Sequence, residues 1–60
     1  MSPSDIKKLR HKIGMSRSQF GVATGVAART VEHWEQGRRR PSLASMMLIN
    51  KLKEYKHGGD

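Results

Sequence analysis

The chain has 60 residues, no cysteine, and 12 lysines and arginines against five aspartates and glutamates. A chain of this length forms one domain at most and buries only about 60% of the surface that its unfolded form exposes, which argues against a large active-site cleft. The lack of cysteine excludes disulfides and thiolate metal sites. The formal charge of +7 predicts a polyanionic partner. Nucleic acid is the first candidate and an anionic membrane surface the second.

We expect no secretion signal at the start of this sequence. The sequence has no run of 18 apolar residues, and the start, Met1 to Asp5, lacks the basic and apolar regions of a secretion signal. We therefore expect a cytoplasmic protein without a membrane partner. Residues 1–57 are predicted to form the domain and residues 58–60 a frayed tail.

Two helices are predicted in the first half of the chain. Ser2 and Asp5 have the spacing of a capping box, which is followed by the apolar stripe Ile6, Leu9 and Ile13. Ser16 and Gln19 repeat the capping box and predict a second helix that runs to about Thr24. Gly25 ends this second helix.

A third helix is predicted from about Ala28 to Gln36, and Gly37 ends it. At 100° per residue, Val31 and Trp34 fall on an apolar face, whereas Arg29 and His33 fall on the opposite, polar face. We therefore expect the tryptophan side to face the core.

The last helix is predicted from about Ser42 to Tyr55, and its apolar residues form two clusters on a helical wheel. Met46 and Met47 favour the core. The second cluster exceeds what a small core can cover and predicts a dimer interface of Leu48, Ile49, Leu52 and Tyr55. The alternative is a helix that breaks near Asn50 and folds back over the core.

The second and third helices have the features of a helix-turn-helix unit that reads DNA. Gly21 allows the close approach of the two helices, and Gly25 allows a positive φ in the turn. Arg29 is the strongest candidate for base contact, because its guanidinium matches the O6 and N7 acceptors of guanine. His33 can donate to or accept from a base edge or a phosphate.

The run from Thr30 to Ser42, with its Trp-Glu-x-Gly-x-x-x-Pro spacing, resembles the Xre/Cro family of helix-turn-helix repressors, and especially the branch with HigA-type antitoxins and small phage regulators. The resemblance covers Ile6 to Leu52. It implies a compact all-α domain of four to five helices, similar to the lambda repressor. It also implies a homodimeric transcriptional repressor that binds an inverted repeat in duplex DNA.

The resemblance also implies roles for individual residues. The residues predicted to read bases are Ala28, Arg29, Glu32 and His33, where Glu32 either accepts from cytosine N4 or repels non-specific phosphate. The residues predicted to bind phosphates are Arg17, Ser18, Arg38, Arg39 and Arg40, although the three consecutive arginines could also be a merely solvated loop. Glu35 is expected to pair with Arg10 across the core. Two residues depart from the family pattern, because Arg17 replaces a usual glutamine and Ala27 replaces a usual serine cap.

Other functions fit the sequence less well. An antitoxin that covers a toxin, with DNA binding secondary, is the leading alternative. A basic membrane-binding helix is disfavoured because the cations are spread over several caps and loops. No carboxylate pair, activated nucleophile or phosphate-binding glycine loop predicts an enzyme, and we expect no cofactor. His11, His33 and His57 lack metal-ligand spacing, so no metal site is predicted.

Overall fold

The computed structural model describes residues 1–54, which form four α-helices joined by short turns. The helices are α1 (Pro3–Lys12), α2 (Arg17–Thr24), α3 (Ala28–Glu35) and α4 (Leu43–Glu54). The predicted all-α fold is therefore confirmed. Tyr55 and the predicted tail at 58–60 lie outside the described residues. No helix within residues 1–54 has the length and apolar character needed to cross a membrane.

Both predicted capping boxes are present. The Ser2 hydroxyl accepts a hydrogen bond from the Asp5 amide at 3.2 Å, and the Ser2 amide donates to the Asp5 carboxylate at 3.1 Å. The hydrogen bonds from Ser2, first from its backbone and then from its side chain, lower the pKa of Asp5 below its ordinary value. Ser16 and Gln19 make the same reciprocal pair at the start of α2. These bonds satisfy amides that a helix start otherwise leaves without partners, which fixes where α1 and α2 begin.

The core lies between all four helices. Its buried apolar side chains are Ile6, Leu9, Ile13, Phe20, Val31, Trp34 and Ile49. Four half-buried side chains pack around them: Met15, Val26, Met46 and Leu52. Each large apolar side chain that is fully buried contributes about 1.5–3 kcal/mol to folding. The apolar residues predicted for the first and third helices therefore meet in a single core.

One buried hydroxyl joins α4 to α2, and a second bonds within α2. The Ser45 hydroxyl donates to the Thr24 carbonyl at 3.1 Å, and the Thr24 hydroxyl donates to the Phe20 carbonyl at 2.8 Å. Both side chains are buried with their polar atoms satisfied. Ser45 and the buried Ile49 lie on the same inward face of α4, so the residues on the other side of this helix point to solvent.

The orientation of α4 corrects the predicted dimer interface. Ile49 is 0% exposed and belongs to the core of its own chain, so its assignment to an interface was wrong. Leu52 is half-buried against that core, whereas Leu48 is exposed. Met47, which the sequence favoured for the core, is exposed as well. The helix continues through Asn50 to Glu54, so the alternative of a break near Asn50 is not observed.

Candidate nucleic-acid interface

The third helix has one buried face and one outward face. Val31 is 0% exposed and Trp34 is 2% exposed, so these two side chains attach α3 to the core. Arg29 is exposed, and Ala28, Glu32 and His33 are half-buried. The four residues predicted to read bases therefore share the side of α3 that the core leaves open. That they contact DNA remains a prediction.

One local contact involves this outward face. The Glu32 carboxylate accepts a hydrogen bond from the side-chain Nε2 of Gln36 at 3.4 Å, one helical turn further along the chain. The contact is long and exposed, so it holds Glu32 weakly. The carboxylate can therefore turn toward a hydrogen-bond donor outside the protein.

The second and third helices approach each other closely at Gly21. A Cβ atom at this position would lie 2.5 Å from the Val26 carbonyl oxygen, 3.2 Å from the Ala27 carbonyl carbon and 3.3 Å from the Ala28 amide nitrogen. All three are backbone atoms and cannot move aside as a flexible side chain does. Gly21 is therefore the residue that sets the distance between α2 and the start of α3.

The turn between these helices consists of three residues and depends on Gly25. Gly25 adopts a φ of 81°, in the left-handed region, and its amide bonds to the carbonyls at the end of α2. Ala27 then occupies the cap position of α3 without a side-chain hydrogen bond. The missing cap that the sequence predicted is confirmed, and the first amides of α3 are left without a side-chain partner.

Glu35, the last residue of α3, binds arginines from both preceding helices. Its carboxylate accepts from Arg10 Nε at 2.6 Å and Nη2 at 3.3 Å, and from Arg17 Nε at 3.2 Å. Arg10 also donates to the Met15 carbonyl at 3.1 Å. The predicted pair of Glu35 with Arg10 is confirmed, and the contact with Arg17 adds a link from α3 to the start of α2.

The two arginines favour the ionised form of the Glu35 carboxylate. Burial raises its pKa, but the hydrogen bonds from Arg10 and Arg17 and the positive charges of these residues outweigh burial and hold the pKa below its ordinary value. The side chain of Glu35 is only 2% exposed, so the carboxylate depends on these two arginines for compensation.

The guanidinium group of Arg17 is bonded at Nε and exposed at its two terminal nitrogens. Its side chain is 44% exposed, and its Nε is held by Glu35. Its two terminal nitrogens make no hydrogen bond within residues 1–54. The sequence predicted Arg17 as a phosphate contact. It did not predict the hydrogen bond from Arg17 to Glu35, because 18 residues separate the two positions.

The basic loop after α3 is exposed. Arg38, Arg39 and Arg40 all lie at the surface, and the Arg38 amide donates to the His33 carbonyl at 2.9 Å. Gly37 turns the chain with a φ of 77°. The loop is thus attached to the end of α3 through the Arg38 amide, and Arg39 and Arg40 line a surface pocket together with Trp34 and the start of α1. Ser18, also predicted to bind phosphate, is exposed in the first turn of α2.

Within residues 1–54, no group of three or more histidines, aspartates or glutamates could hold a metal ion. The outward face of α3, the Arg17 edge and the basic loop are instead suited to an extended anion with hydrogen-bonding groups. We call these three parts together the basic surface.

Comparison with known proteins decides the family. Residues 6–52 match the helix-turn-helix family of Xre/Cro type. The chain belongs to this family. It is a family of DNA-binding domains rather than of enzymes.

One curated relative of this helix-turn-helix domain is the antitoxin HigA-2 of Vibrio cholerae serotype O1. The two are 33% identical over 55 residues, which cover 92% of this chain and 53% of the relative. The chain thus spans about half the length of that relative. No solved structure matches the chain significantly.

Proposed function

We propose that this helix-turn-helix domain is a sequence-specific regulator that represses transcription by binding an inverted repeat in duplex DNA as a homodimer. The observation that carries the proposal is the division of α3 into a face fixed by Val31 and Trp34 and an outward face with Arg29. The formal charge of +7 supplies the attraction to a polyanion. An α-helix fits the major groove, where base edges carry a unique pattern of donors and acceptors.

The base contacts are assigned to the outward face of α3. Arg29 donates two hydrogen bonds to guanine, and His33 reaches a base edge one turn further along. Ala28 is small enough for the start of α3 to approach the groove, and its methyl group can contact the methyl of thymine. Glu32 accepts from cytosine N4 and repels phosphates when the register is wrong.

The phosphate contacts are assigned to both sides of that helix. Arg17 and Ser18 bind one backbone segment from the start of α2, and Arg38, Arg39 and Arg40 bind another from the loop. Because Glu35 fixes Nε of Arg17, its terminal nitrogens lose less freedom when they bind phosphate. Such contacts position the protein without reading sequence. Each neutralised phosphate changes the slope of log affinity against log salt by about −0.9.

The experiment compares Arg29→Ala with Arg39→Ala on a duplex that the wild-type protein selects from a random-sequence library. Arg29→Ala should relax the preference at one base pair per half-site, at a cost of about 1–3 kcal/mol on the preferred base. Arg39→Ala should weaken binding to every sequence alike and reduce the salt slope by about one unit per protomer.

The matched control is Lys8→Ala, which removes an exposed cation on the side of α1 opposite Arg10. It should leave both the base preference and the salt slope close to wild type. If Arg29→Ala and Arg39→Ala both scale the affinity for all sequences uniformly, the assignment of base reading to Arg29 is wrong. Failure to select any duplex contradicts the proposed function as a whole.

The relationship to an antitoxin supports a second candidate, in which the domain neutralises a partner toxin and DNA binding is secondary. The test is co-expression with a small protein encoded next to its gene, followed by joint purification and a growth assay. Formation of a stable complex that restores growth favours this function. Growth arrest that persists, with no complex, contradicts it.

A further inference from the structure

A surface pocket lies where the start of α1, the end of α3 and the loop before α4 meet. Its volume of about 580 Å³ falls in the range of about 300–1,000 Å³ that is usual for small-molecule sites. The large apolar side chains that line it include Pro3, Ile6, Trp34, Pro41 and Met46. We call it the tryptophan pocket.

The backbone around the tryptophan pocket is fixed by contacts within the domain. The capping box of Ser2 and Asp5 sets the start of α1, and the burial of Trp34 sets the end of α3. Gly37 then turns the chain with a φ of 77°, and a Cβ atom at this position would lie 3.5 Å from Cγ of Pro3. The loop therefore passes close to the start of α1. These constraints hold the pocket open before any ligand binds.

The tryptophan pocket is positively charged. Arg39 and Arg40 line it, and neither guanidinium group forms a salt bridge with another residue of 1–54. Among the described residues, no aspartate or glutamate lines the pocket. Asp5, in the first turn of α1, lines a neighbouring pocket beside Lys8 and Lys12. The lining thus combines apolar side chains with two cations that no acid of the same pocket compensates.

We propose that the tryptophan pocket binds a small amphipathic carboxylate, and that this ligand and DNA exclude each other. The carboxylate of the ligand pairs with Arg39 and Arg40, since a planar guanidinium group matches a carboxylate with two parallel hydrogen bonds. The apolar part of the ligand lies against Pro3 and Met46, and the thioether of methionine favours an aromatic ring. The apolar lining disfavours a bare anion, and the two arginines disfavour an uncharged or cationic molecule.

A bound ligand removes two of the proposed phosphate contacts. This step rests on the proposed function, in which Arg39 and Arg40 bind the DNA backbone. A carboxylate that occupies both guanidinium groups leaves them unavailable to phosphate, and DNA must weaken ligand binding by the same factor. Such couplings are typically about 5–150-fold. The ligand would therefore act as a signal that releases the domain from its DNA site.

The first experiment tests the ligand class without DNA, and its probe is phenylpropionate, a carboxylate joined to a benzene ring. Three matched compounds change one property each. Acetate carries the charge without the ring, phenylpropanol the ring without the charge, and phenylpropylammonium the ring with the opposite charge. Each compound is added up to about 10 mM while the N–H signals of the wild-type protein are followed by NMR.

Phenylpropionate should shift three sets of signals saturably: the indole N–H of Trp34, which is the only tryptophan, and the amides of Ser2 and Gly37. The dissociation constant should be about 1 mM, because the ligand is small and both arginines are exposed. The three matched compounds should shift these signals much less at the same concentration.

Three substitutions in the loop test the charges of the pocket. Arg39→Gln and Arg40→Gln each remove a cation that lines it. Arg38→Gln is the matched control, because Arg38 is exposed in the same loop but does not line the pocket. Each of the first two should raise the dissociation constant of phenylpropionate about three- to fivefold, as expected for an exposed ion pair. Arg38→Gln should leave it nearly unchanged, and amide signals away from the loop should show that all three variants remain folded.

The second experiment tests the exclusion of DNA. Its probe is the duplex that the wild-type protein selects from a random library. Phenylpropionate at about 10 mM should weaken binding of this duplex about tenfold. Acetate at the same concentration contributes the same ionic strength and should have little effect, so the comparison separates occupation of the pocket from screening by salt.

Several results would overturn the inference. Acetate, phenylpropanol or phenylpropylammonium could shift the pocket signals as strongly as phenylpropionate does, or Arg38→Gln could cost as much as Arg39→Gln. The largest shifts could instead fall on Leu43 and Met47, the exposed apolar residues of α4. Saturable binding that leaves DNA affinity unchanged would refute the exclusion. If no duplex is selected, the proposed function fails, whereas the titration without DNA still decides whether the pocket binds its ligand.

Discussion

The two arginines that bind Glu35 should differ greatly in their contribution to stability. They share one carboxylate, but the side chain of Arg10 is 10% exposed and that of Arg17 is 44% exposed. We predict that Arg10→Gln lowers the free energy of unfolding far more than Arg17→Gln. The matched substitutions remove the same charge and retain a polar side chain at each position.

The magnitudes follow from burial. Removing one partner of a buried ion pair costs up to about 3–5 kcal/mol when the other charge is left without compensation, and here Arg17 still compensates part of the Glu35 charge. Arg10→Gln also removes the bond to the Met15 carbonyl. An exposed ion pair contributes at most about 1 kcal/mol, so Arg17→Gln should cost no more than that. A chain of 60 residues has a total stability of about 3–9 kcal/mol. Arg10→Gln therefore removes a large part of the stability of the domain.

Urea unfolding followed by fluorescence can measure both variants. Trp34 is the only tryptophan and is 2% exposed, so its emission reports directly on the core. The cost of Arg17→Gln should decrease in high salt, since mobile ions screen exposed charges more than buried ones. Equal costs for the two variants, or a cost of Arg10→Gln that salt abolishes, would refute the argument from burial.

Three further predictions concern the connections of α3. Gly21→Ala should lower the free energy of unfolding by about 1–3 kcal/mol in urea titrations, because the added methyl group would meet the Val26 carbonyl; an unchanged midpoint would contradict this. Ala27→Ser should raise the melting temperature by supplying the missing cap, which is worth about 1 kcal/mol, and an equal or lower melting temperature would count against it. Because the folded-state pKa of Glu35 is lowered, its contribution to stability is complete above the ordinary glutamate pKa and is lost as pH falls through the folded value. The urea midpoint of the wild-type protein should therefore decrease as the pH falls below about 5. Glu35→Gln should lack the part of this decrease that comes from Glu35. If the midpoint of the variant decreases with pH in the same way as that of the wild type, the assignment to Glu35 is wrong.

Local signals in the sequence predicted most of the helix boundaries. The capping boxes at Ser2 and Ser16 and the turn glycine at Gly25 act through neighbouring backbone atoms, so they operate wherever the rest of the chain lies. Predicted and observed starts of α1, α2 and α3 agree for this reason. The pairing of Arg10 with Glu35 was expected from the family resemblance and not from spacing.

The inward face of α4 could not be predicted in the same way. On a helical wheel, α4 has two apolar clusters that contain similar residue types. The choice between them depends on contacts with the other helices, among them the burial of Ile49 in the core and the hydrogen bond between Ser45 and Thr24, which lie 21 residues apart. The contact of Arg17 with Glu35 also joins positions that only the fold brings together. In both cases the deciding partner is distant in sequence, so periodicity alone does not reveal it.

The attachment of α3 by Val31 and Trp34 has a consequence for how this protein can change over time. Two buried side chains one turn apart attach the helix to the core, so substitutions on its other side have little effect on the stability of the fold. Under the proposed function, a substitution at Arg29 alters what is recognised while the scaffold tolerates it with little loss. New target preferences are therefore accessible in single mutational steps, through intermediates that remain folded.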